Sequence, residues 1–309
     1  MIDSFHRPIK SLRISLTRKC NLKCLYCHEE GELRSAQPYE ISVAEIAKIA
    51  RICHHEGVTK VKFSGGEPLL RKDLSEVIEA LPPFKDVSMT TNGQLLEERI
   101  GDLKGLNRVN VSVDTFNPAT YKRLTGGDIE NVVRGLDAAL EAGLTPVKIN
   151  MVVMDGINDH EIGDMIRYVR GKEMVLQLIE LMDFKEHSEL RASNLRVIES
   201  TLEGLSDKTT TNTLHNRKKF KINDAEIEIV RPVDNTEFCM NCNRLRVTSD
   251  AKLKPCLLRN DNIVDARGID QVSDAHALEI IMKAVKRREP YYRARPIDGA
   301  YSRRKADTY

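Results

Sequence analysis

Short β-rich runs alternate with amphipathic helical stretches between residues 12 and 179, and this alternation constrains the fold more than any other feature. Six runs predict strands, over residues 12–16, 60–63, 87–90, 108–113, 147–153 and 175–179. Helical patterns lie between them, near residues 42–56, 72–80, 94–103, 128–142 and 159–170. Repeated βα units predict an α/β fold with a parallel sheet, either a complete or incomplete barrel or an open doubly wound sheet.

The pattern changes after the sixth predicted strand. Residues 183–217 have weaker periodicity, and the polar residues 206–213 predict a loop. We therefore predict a first domain over residues 1–215 and a smaller C-terminal region over residues 216–309. A helical pattern near residues 274–289 belongs to that smaller region.

The composition limits the classes of protein to consider. Hydrophobic residues make up 41% of the 309 residues and charged residues 30%, a balance typical of soluble globular proteins. No apolar run approaches the roughly 18–20 residues of a membrane-spanning helix, and the first residues lack the apolar segment of a signal peptide. The 48 basic and 46 acidic residues nearly cancel, which argues against nucleic-acid binding over the whole surface. We therefore expect a cytoplasmic protein with neither a membrane nor a nucleic acid as partner.

A first cysteine group follows the first predicted strand. Cys20, Cys24 and Cys27 have C-x3-C-x2-C spacing, and seven cysteines without an export signal indicate metal binding or redox chemistry rather than disulfides. Three thiolates can bind three irons of a cubane cluster and leave the fourth iron open. A zinc site with His28 as fourth ligand is the alternative. The C-x-x-C-H pattern of haem attachment is also present, but it requires export and gives Cys20 no role.

A second cysteine group lies in the C-terminal region. Cys239, Cys242 and Cys256 have C-x2-C-x13-C spacing, and Arg244 and Arg246 follow the second of them. Two arginines at i and i+2 project to one face of an extended strand, where guanidinium groups suit phosphate oxygens. A zinc ribbon lacking one ligand is the alternative. The pattern therefore predicts either that ribbon or a second open cluster beside a phosphorylated substrate.

Polar residues mark the ends of the remaining predicted strands, where barrel enzymes build their active sites. Each residue alone would more often be a turn or capping residue, but four sets at consecutive strand ends favour a site. Lys148 lies within an apolar strand and needs a partner or an anionic ligand if it points inward. The four sets are Thr90-Thr-Asn-Gly93, Asn110-Val-Ser-Val-Asp114, Val147-Lys-Ile-Asn150 and Glu180-Leu-Met182, and the segment Ser64-Gly-Gly-Glu-Pro68 ends the second predicted strand before them.

These motifs resemble those of known enzymes. The first cysteine group, with Tyr26 before its last cysteine, and the Gly-Gly-Glu-Pro segment resemble the radical S-adenosylmethionine (SAM) superfamily. Both cysteine groups and the string FCMNCNRLRVTSDAKLKPCLL together resemble its GTP 3′,8-cyclase family, which acts in molybdenum cofactor biosynthesis, over nearly the whole chain. The resemblance implies an incomplete (β/α)6 TIM-like barrel, with the smaller C-terminal region closing its open side and carrying a second cluster.

The resemblance also implies an activity and its cofactors. The activity is the conversion of GTP to (8S)-3′,8-cyclo-7,8-dihydroguanosine 5′-triphosphate by a 5′-deoxyadenosyl radical. The cofactors are two [4Fe–4S] clusters and SAM. It implies a flavodoxin- or ferredoxin-type electron donor and a monomer or homodimer.

The same resemblance assigns roles to sixteen residues. It implies that the SAM cluster is held by Cys20, Cys24 and Cys27, and the auxiliary cluster by Cys239, Cys242 and Cys256. It implies SAM contacts from Tyr26, Gly66, Ser112 and Met182, and GTP contacts from Arg13, Lys62, Thr90, Lys148, Arg244 and Arg246. Position 62 is often arginine in the family, and lysine keeps the charge without the planar fork.

One departure and two alternatives accompany this interpretation. Many members of the family end in a tandem glycine needed for the radical step, whereas this chain has a single Gly299 near its end. A radical SAM enzyme that modifies a peptide is one alternative, although it has less use for converging cations. A zinc protein that binds nucleic acid through its basic C-terminal part is the other.

Overall fold

Six parallel strands in chain order form the centre of the sheet. The computed structural model describes residues 1–32, 39–182, 189–212, 215, 217–232 and 235–289. Each of the six predicted strands is present, with ends that differ from the prediction by at most one residue. They are β1 (Ser11–Ser15), β2 (Lys60–Ser64), β3 (Asp86–Thr91), β4 (Arg108–Ser112), β5 (Val147–Val153) and β6 (Met174–Glu180).

Helices connect these strands, and each predicted helical stretch contains a helix. Ser42 begins the first helix with a capping box, in which its side chain and that of Glu45 bond each other's backbone amides. The helix Pro118–Thr125 was not predicted, because its eight residues are too few for a clear periodic pattern. The helices are α1 (Val43–His55), α2 (Leu74–Glu79), α3 (Leu96–Arg99), α4 (Pro118–Thr125), α5 (Ile129–Glu141) and α6 (Ile162–Val169).

The C-terminal part of the chain extends the same sheet on both sides. Its elements are α7 (Leu195–Leu205), β7 (Lys208–Asn212), β8 (Arg217–Ile222), β9 (Ala225–Val230), α8 (Thr236–Met240), β10 (Arg244–Val247), β11 (Lys252–Lys254), β12 (Val264–Asp265) and α9 (Asp274–Lys286). Strand β9 pairs parallel with β6, and β10 pairs parallel with β1, so the sheet order is β12-β11-β10-β1-β2-β3-β4-β5-β6-β9-β8-β7. The result is an α/β fold with a mainly parallel, partial barrel-like sheet.

The prediction of a loop over the polar residues 206–213 is wrong. Residues Lys208–Asn212 form β7, which pairs antiparallel with β8 from Lys208–Lys221 to Asn212–Arg217. Three consecutive threonines give this segment high strand propensity despite its polarity. The proposed domain boundary after residue 215 falls between these two strands.

The two faces of the sheet differ in polarity, and this difference positions the site. In β5 the apolar residues Val147, Ile149, Met151 and Val153 are buried and join the main hydrophobic core. The residues that alternate with them include Lys148, which lines a cavity on the other face. Cys53, in α1, is fully buried in the core. Among the described residues, no helix combines the length and apolarity that crossing a membrane requires. The Gly299 tail lies outside the described residues.

Candidate active site

A cavity of about 500 Å³ lies against the polar face of the sheet. All sixteen residues singled out in the sequence line it, although they come from segments spread over more than two hundred positions. They are Arg13, Cys20, Cys24, Tyr26, Cys27, Lys62, Gly66, Thr90, Ser112, Lys148, Met182, Cys239, Cys242, Arg244, Arg246 and Cys256. Their assembly in one cavity is consistent with a single site.

The first cysteine group occupies the loop that follows β1. Two backbone amides donate to its sulfurs, Leu22 N to Cys20 Sγ at 3.5 Å and Glu29 N to Cys27 Sγ at 3.4 Å. Burial raises the pKa of the Cys20 and Cys24 thiols in this ligand-free chain. Amide donors aimed at sulfur stabilise cluster-bound thiolates, so the donor set of three free thiols fits an iron–sulfur cluster.

The two glycines after β2 pack against the backbone of this cysteine loop. Gly66 N donates to Thr17 O at 2.8 Å, and Glu67 N donates to Lys19 O at 2.8 Å. A Cβ atom on Gly66 would lie only 2.3 Å from Lys19 O, and Gly65 has a φ of +139°. Glycine is therefore required here by contacts within the chain, in addition to any contact with a ligand.

We expect Gly66→Ala to distort the cysteine loop. The added methyl group would overlap backbone atoms, at a cost of about 2 kcal/mol in unfolding free energy. Iron retention during desalting and the melting temperature Tm both measure the effect, and both should fall. Gly163→Ala is the matched control, because a Cβ there meets only Arg167 Nη1 at 3.8 Å. Equal behaviour of the two variants would contradict the steric argument.

Glu67 ties the end of β2 to the end of β3. Its buried carboxylate accepts hydrogen bonds from Thr91 Oγ1 and Asn92 N, both at 2.7 Å. The side chain of Asn92 in turn donates to Asn21 Oδ1 at 2.8 Å and contacts Cys20 Sγ at 3.9 Å. The strand-end motifs therefore act together to hold the first cysteine loop.

Tyr26 is fixed over the end of β4 by Asp114. Its hydroxyl donates to Asp114 Oδ2, and Val152 N donates to Asp114 Oδ1 at 2.9 Å. Burial raises the pKa of Asp114 to about 6. Ser112 and Met182 line the cavity near these strand ends. Tyr26 thus has a defined orientation before any ligand binds.

The second cysteine group is built around α8. The side chain of Asn235 accepts from Phe238 N at 3.0 Å and begins this helix, which carries Cys239. Cys242 lies in the turn after it, with its amide donating to Cys239 O at 3.1 Å. Cys256 follows β11, and the antiparallel pairing of β11 with β10 returns it toward Cys242. This group also supplies three cysteine thiols.

The two cysteine groups lie at opposite ends of β1. The first follows the carboxyl end of the strand. Asn243, next to Cys242, accepts hydrogen bonds from Lys10 N and Ser11 N at 3.0 and 3.2 Å, at the amino end. A five-residue strand spans roughly 16 Å. The cavity therefore separates the two groups by about the length of one strand.

Cations line the cavity between the groups. The parallel register places Arg246 beside Arg13 and Arg13 beside Lys62. Burial lowers the pKa of Arg13 to about 10, and burial with neighbouring cations lowers the pKa of Lys62 and Arg244 well below their ordinary values. Lys62 and Arg244 form no hydrogen bond or ion pair through their side chains within the described ranges. This excess of buried positive charge suits a polyanionic ligand.

Two carboxylates that the sequence analysis missed neutralise part of this charge. Glu30 Oε1 lies 3.7 Å from Arg13 Nη1, and Glu30 Oε2 lies 3.2 Å from Arg246 Nη1. Burial opposes ionisation, but these arginines hold the pKa of Glu30 at about 2. Glu228 in β9 accepts from Lys148 Nζ at 2.8 Å. Glu228 could have been found in the sequence as a charged residue inside an apolar strand, the feature that also singled out Lys148.

We expect Glu228→Gln to destabilise the apoprotein by about 3 kcal/mol, because it leaves Lys148 buried without its partner. Lys148 and other nearby cations outweigh burial and hold the pKa of Glu228 at about 2. A lowered pKa stabilises the fold above the unfolded value of about 4.3, and this stabilisation is lost as the pH falls toward 2. The difference in Tm between Glu228→Gln and the parent protein should therefore become smaller as the pH is lowered from 7 to 3.

The matched control for that series is Glu226→Gln. Glu226 lies on the same strand, but its side chain is 56% exposed and 3.9 Å from Lys219 Nζ. Its loss should leave Tm nearly unchanged at every pH. A Glu228→Gln effect that is equally small, or one that grows toward acid pH, would contradict the assignment of the ion pair.

In the part of the chain that the structure describes, no three His, Cys, Asp or Glu side chains are close enough together to hold a single ion. Zinc–sulfur bonds of about 2.3 Å require thiolates in near contact with one another.

Two family descriptions match the chain almost from end to end. The Radical SAM superfamily matches residues 14–169, and the family described as Molybdenum Cofactor Synthesis C matches residues 174–294. The first match begins within β1, and the second begins at β6. The two matches therefore include both cysteine groups.

Archaeal relatives are similar over nearly their full lengths. A probable GTP 3′,8-cyclase of Methanocella arvoryzae is 53% identical over 302 residues, which is 95% of each chain. Proteins with the same name from Methanosarcina acetivorans and Archaeoglobus fulgidus are 47% and 44% identical. They cover 94% of this chain and 90% and 99% of their own lengths.

Solved structures show the same fold. Streptococcus suis SuiB bound to S-adenosylmethionine has a TM-score of 0.60 and 17% identity, covering 84% of this chain and 61% of SuiB. Native anSMEcpe with bound AdoMet has a TM-score of 0.58 and 19% identity, covering 87% and 80%. Together with the sequence matches, these findings show that the chain belongs to the radical SAM superfamily and, within it, to the family of the probable GTP 3′,8-cyclases.

Proposed function

We propose that this protein converts GTP to (8S)-3′,8-cyclo-7,8-dihydroguanosine 5′-triphosphate, the first step of molybdenum cofactor biosynthesis. One observation carries the proposal. A single cavity is bordered by a three-cysteine loop at each end of β1 and by partly uncompensated cations between them. A triphosphate is the kind of ligand that such a wall of cations would bind.

Membership of the superfamily implies one [4Fe–4S] cluster and SAM as cofactors. Cys20, Cys24 and Cys27 would hold that cluster, since they are the three thiols of the loop after β1. When bound there and reduced, SAM supplies a 5′-deoxyadenosyl radical. Tyr26, Gly66, Ser112 and Met182 would hold SAM; they line the cavity around the strand ends above the loop. Asp114 would fix the orientation of the Tyr26 ring.

A second [4Fe–4S] cluster is part of the proposal. Cys239, Cys242 and Cys256 would hold it. Burial alone raises the pKa of the Cys242 thiol, but Arg288, Arg244 and Arg246 outweigh burial and lower it, which favours the thiolate that binds iron. Three ligands for four irons leave one iron open to substrate.

The six proposed GTP contacts divide by position along the strands. Arg13, Lys62 and Arg246 lie side by side across three strands and would bind phosphate oxygens through charge-assisted hydrogen bonds. Thr90 in β3 and Lys148 in β5 lie on either side of Asn110 in β4, because the strand register pairs each of them with Asn110. Arg244 lies nearest the second cysteine group. The residues would hold the nucleotide in one orientation and replace its water, which is the share of catalysis that positioning supplies.

The finer description of the fold is also proposed. Strands β1–β6 with their helices correspond to an incomplete (β/α)6 barrel over residues 1–215. Residues 216–309 would close its open side, and the parallel pairing of β9 and β10 onto both edges of that sheet supports this. A monomer or homodimer that receives electrons from a flavodoxin or ferredoxin completes the proposal.

The test is release of 5′-deoxyadenosine by anaerobically reconstituted, reduced protein with SAM, with and without GTP. Strong stimulation by GTP, and none by ATP, is expected. Release that is the same with and without GTP would favour the alternative, a radical SAM enzyme that modifies a peptide. No release from protein with a full iron and sulfide content would overturn the enzymatic proposal. Zinc in place of iron and acid-labile sulfide would favour the nucleic-acid-binding alternative.

A further inference from the structure

Asp3 lies outside every motif discussed so far, yet its carboxylate is completely buried between two arginines. Its Oδ2 atom accepts from Arg7 Nε at 2.9 Å and from Arg288 Nη1 at 2.7 Å. Its Oδ1 atom accepts from the amides of Phe5 and Arg7 at 3.0 and 2.9 Å. One side chain therefore joins the N-terminal turn to Arg288, the second residue after the end of α9.

Both arginines also reach the second cysteine group. Arg7 Nη1 donates to Cys239 O at 2.8 Å, and Arg288 Nη2 donates to Cys242 O at 2.5 Å. Arg7 Nη2 further donates to Glu289 O at 2.6 Å. The two carbonyls belong to the two cysteines of the C-x2-C turn. Each cysteine backbone is thus held by one guanidinium, and both guanidiniums are held by Asp3.

The physical role of the carboxylate follows from burial and charge. The side chain of Arg288 is 2% exposed and that of Arg7 is 11% exposed, so water does not screen their mutual repulsion effectively. Without Asp3, two neighbouring buried cations would lack their shared anion. They would separate or rotate, and the carbonyls of the C-x2-C turn would lose their donors. A shift of these carbonyls moves the Cys239 and Cys242 sulfurs, because each carbonyl carbon is two bonds from the Cβ atom of its own residue.

We propose that Asp3 is a positioning residue for the auxiliary cluster, and that it acts through Arg7 on Cys239 and through Arg288 on Cys242. This inference rests on the proposed function, because it assumes that the second cysteine group holds a [4Fe–4S] cluster. Outer partners of this kind orient the atoms that bind the metal, and their loss weakens binding by about 10- to 100-fold.

The test isolates each cluster in turn. In a Cys20→Ala, Cys24→Ala, Cys27→Ala background, reconstituted protein carries only the auxiliary cluster, with about four irons per chain. Adding Asp3→Asn should speed iron loss to a chelator by about tenfold or more, and should shift the electron paramagnetic resonance (EPR) g-values of the reduced cluster. Asp3→Glu should restore part of the retention, because it keeps the negative charge.

The reverse background separates local positioning from general unfolding. With Cys239→Ala, Cys242→Ala and Cys256→Ala, only the SAM cluster remains, and Asp3→Asn should leave its iron content and EPR signal unchanged. Asp274→Asn is a matched control in both backgrounds, because Asp274 also bonds a lysine and an arginine but its side chain is 57% exposed.

The outcomes distinguish the inference from the function on which it rests. Unchanged chelation and g-values in the auxiliary-only protein would overturn the role of Asp3. Equal losses of both clusters on Asp3→Asn would also overturn it, by showing a global effect. An auxiliary-only parent that binds no iron and sulfide at all would instead refute the second cluster in the proposed function.

Discussion

Arg244→Ala is expected to weaken GTP binding by about 10- to 100-fold while raising the Tm of the nucleotide-free protein. The affinity falls because a guanidinium bonded to phosphate contributes about 1.5–3 kcal/mol. Tm rises because half-buried Arg244 lies among Arg13, Arg217 and Arg246, and burial with their repulsion outweighs its attraction to Cys242 and lowers its pKa well below the ordinary value. Removing this incompletely compensated, half-buried charge should stabilise the empty fold by about 1 kcal/mol, or about 2–4 °C in Tm.

Arg246→Ala is the matched comparison for this prediction. Arg246 Nη1 lies 3.2 Å from Glu30 Oε2, so its removal takes away the nearer of the two arginines that face this carboxylate and leaves Arg13 at 3.7 Å. We expect this variant to lose both GTP affinity and Tm. Arg244→Lys should retain part of the affinity, because it keeps the charge but not the planar fork.

Anaerobic calorimetric titration with GTP and thermal unfolding without it measure the two effects separately. Parent-like GTP affinity in Arg244→Ala would remove the strongest argument for a triphosphate in the cavity. A Tm that falls as far in Arg244→Ala as in Arg246→Ala would show that Arg244 is compensated in the empty protein. The opposite changes of stability and affinity are typical of residues placed for a ligand rather than for the fold.

The second large effect concerns the two cysteine groups. Reconstituted parent protein should hold about eight irons and eight sulfides, and replacing either group by alanine should leave about four of each. Loss of Cys20, Cys24 and Cys27 should abolish 5′-deoxyadenosine release. Loss of Cys239, Cys242 and Cys256 should leave SAM cleavage possible but end its stimulation by GTP. The physical reason is that one group would serve SAM and the other would serve the substrate.

Cys53→Ala is the control for these variants. Its side chain is fully buried in the core at α1, so the substitution removes a thiol without touching either cysteine group. It should keep about eight irons and parent-like release. An equal iron content in the parent and in the variant lacking the second group would contradict the second cluster. GTP stimulation that survives in that variant would contradict its proposed role.

Local patterns in the sequence were sufficient to predict the six central strands. In β5 the predicted and observed bounds are identical, because alternating buried residues give a clear signal with a period of two. The threonine-rich strand β7 was missed, because its partner β8 determines its structure and local polarity suggested a loop. Strand propensity alone did not outweigh that polarity.

The site shows the same division between local and long-range information. Motif spacing singled out the cysteines, the glycine pair and the arginines, and all of them line one cavity. Their roles stay predictions. Glu30, Glu228 and Asp3 were missed, because each takes its importance from cations on distant segments, such as Arg246 for Glu30 and Arg288 for Asp3. Separations of 216 residues for Glu30 and 285 residues for Asp3 leave no periodic or spacing signal, whereas Glu228 had one as an acidic residue inside an apolar strand.

The most direct measurement of the central claim follows one hydrogen atom. Reduced, reconstituted protein with SAM and GTP carrying deuterium at C3′ should release 5′-deoxyadenosine that contains one deuterium, as read by mass spectrometry. GTP deuterated at C2′ should give unlabelled 5′-deoxyadenosine. Deuterium transfer from C3′ would show that this cavity holds the GTP ribose beside the SAM site. Stimulated release of 5′-deoxyadenosine without deuterium from C3′-labelled GTP would contradict the proposed reaction.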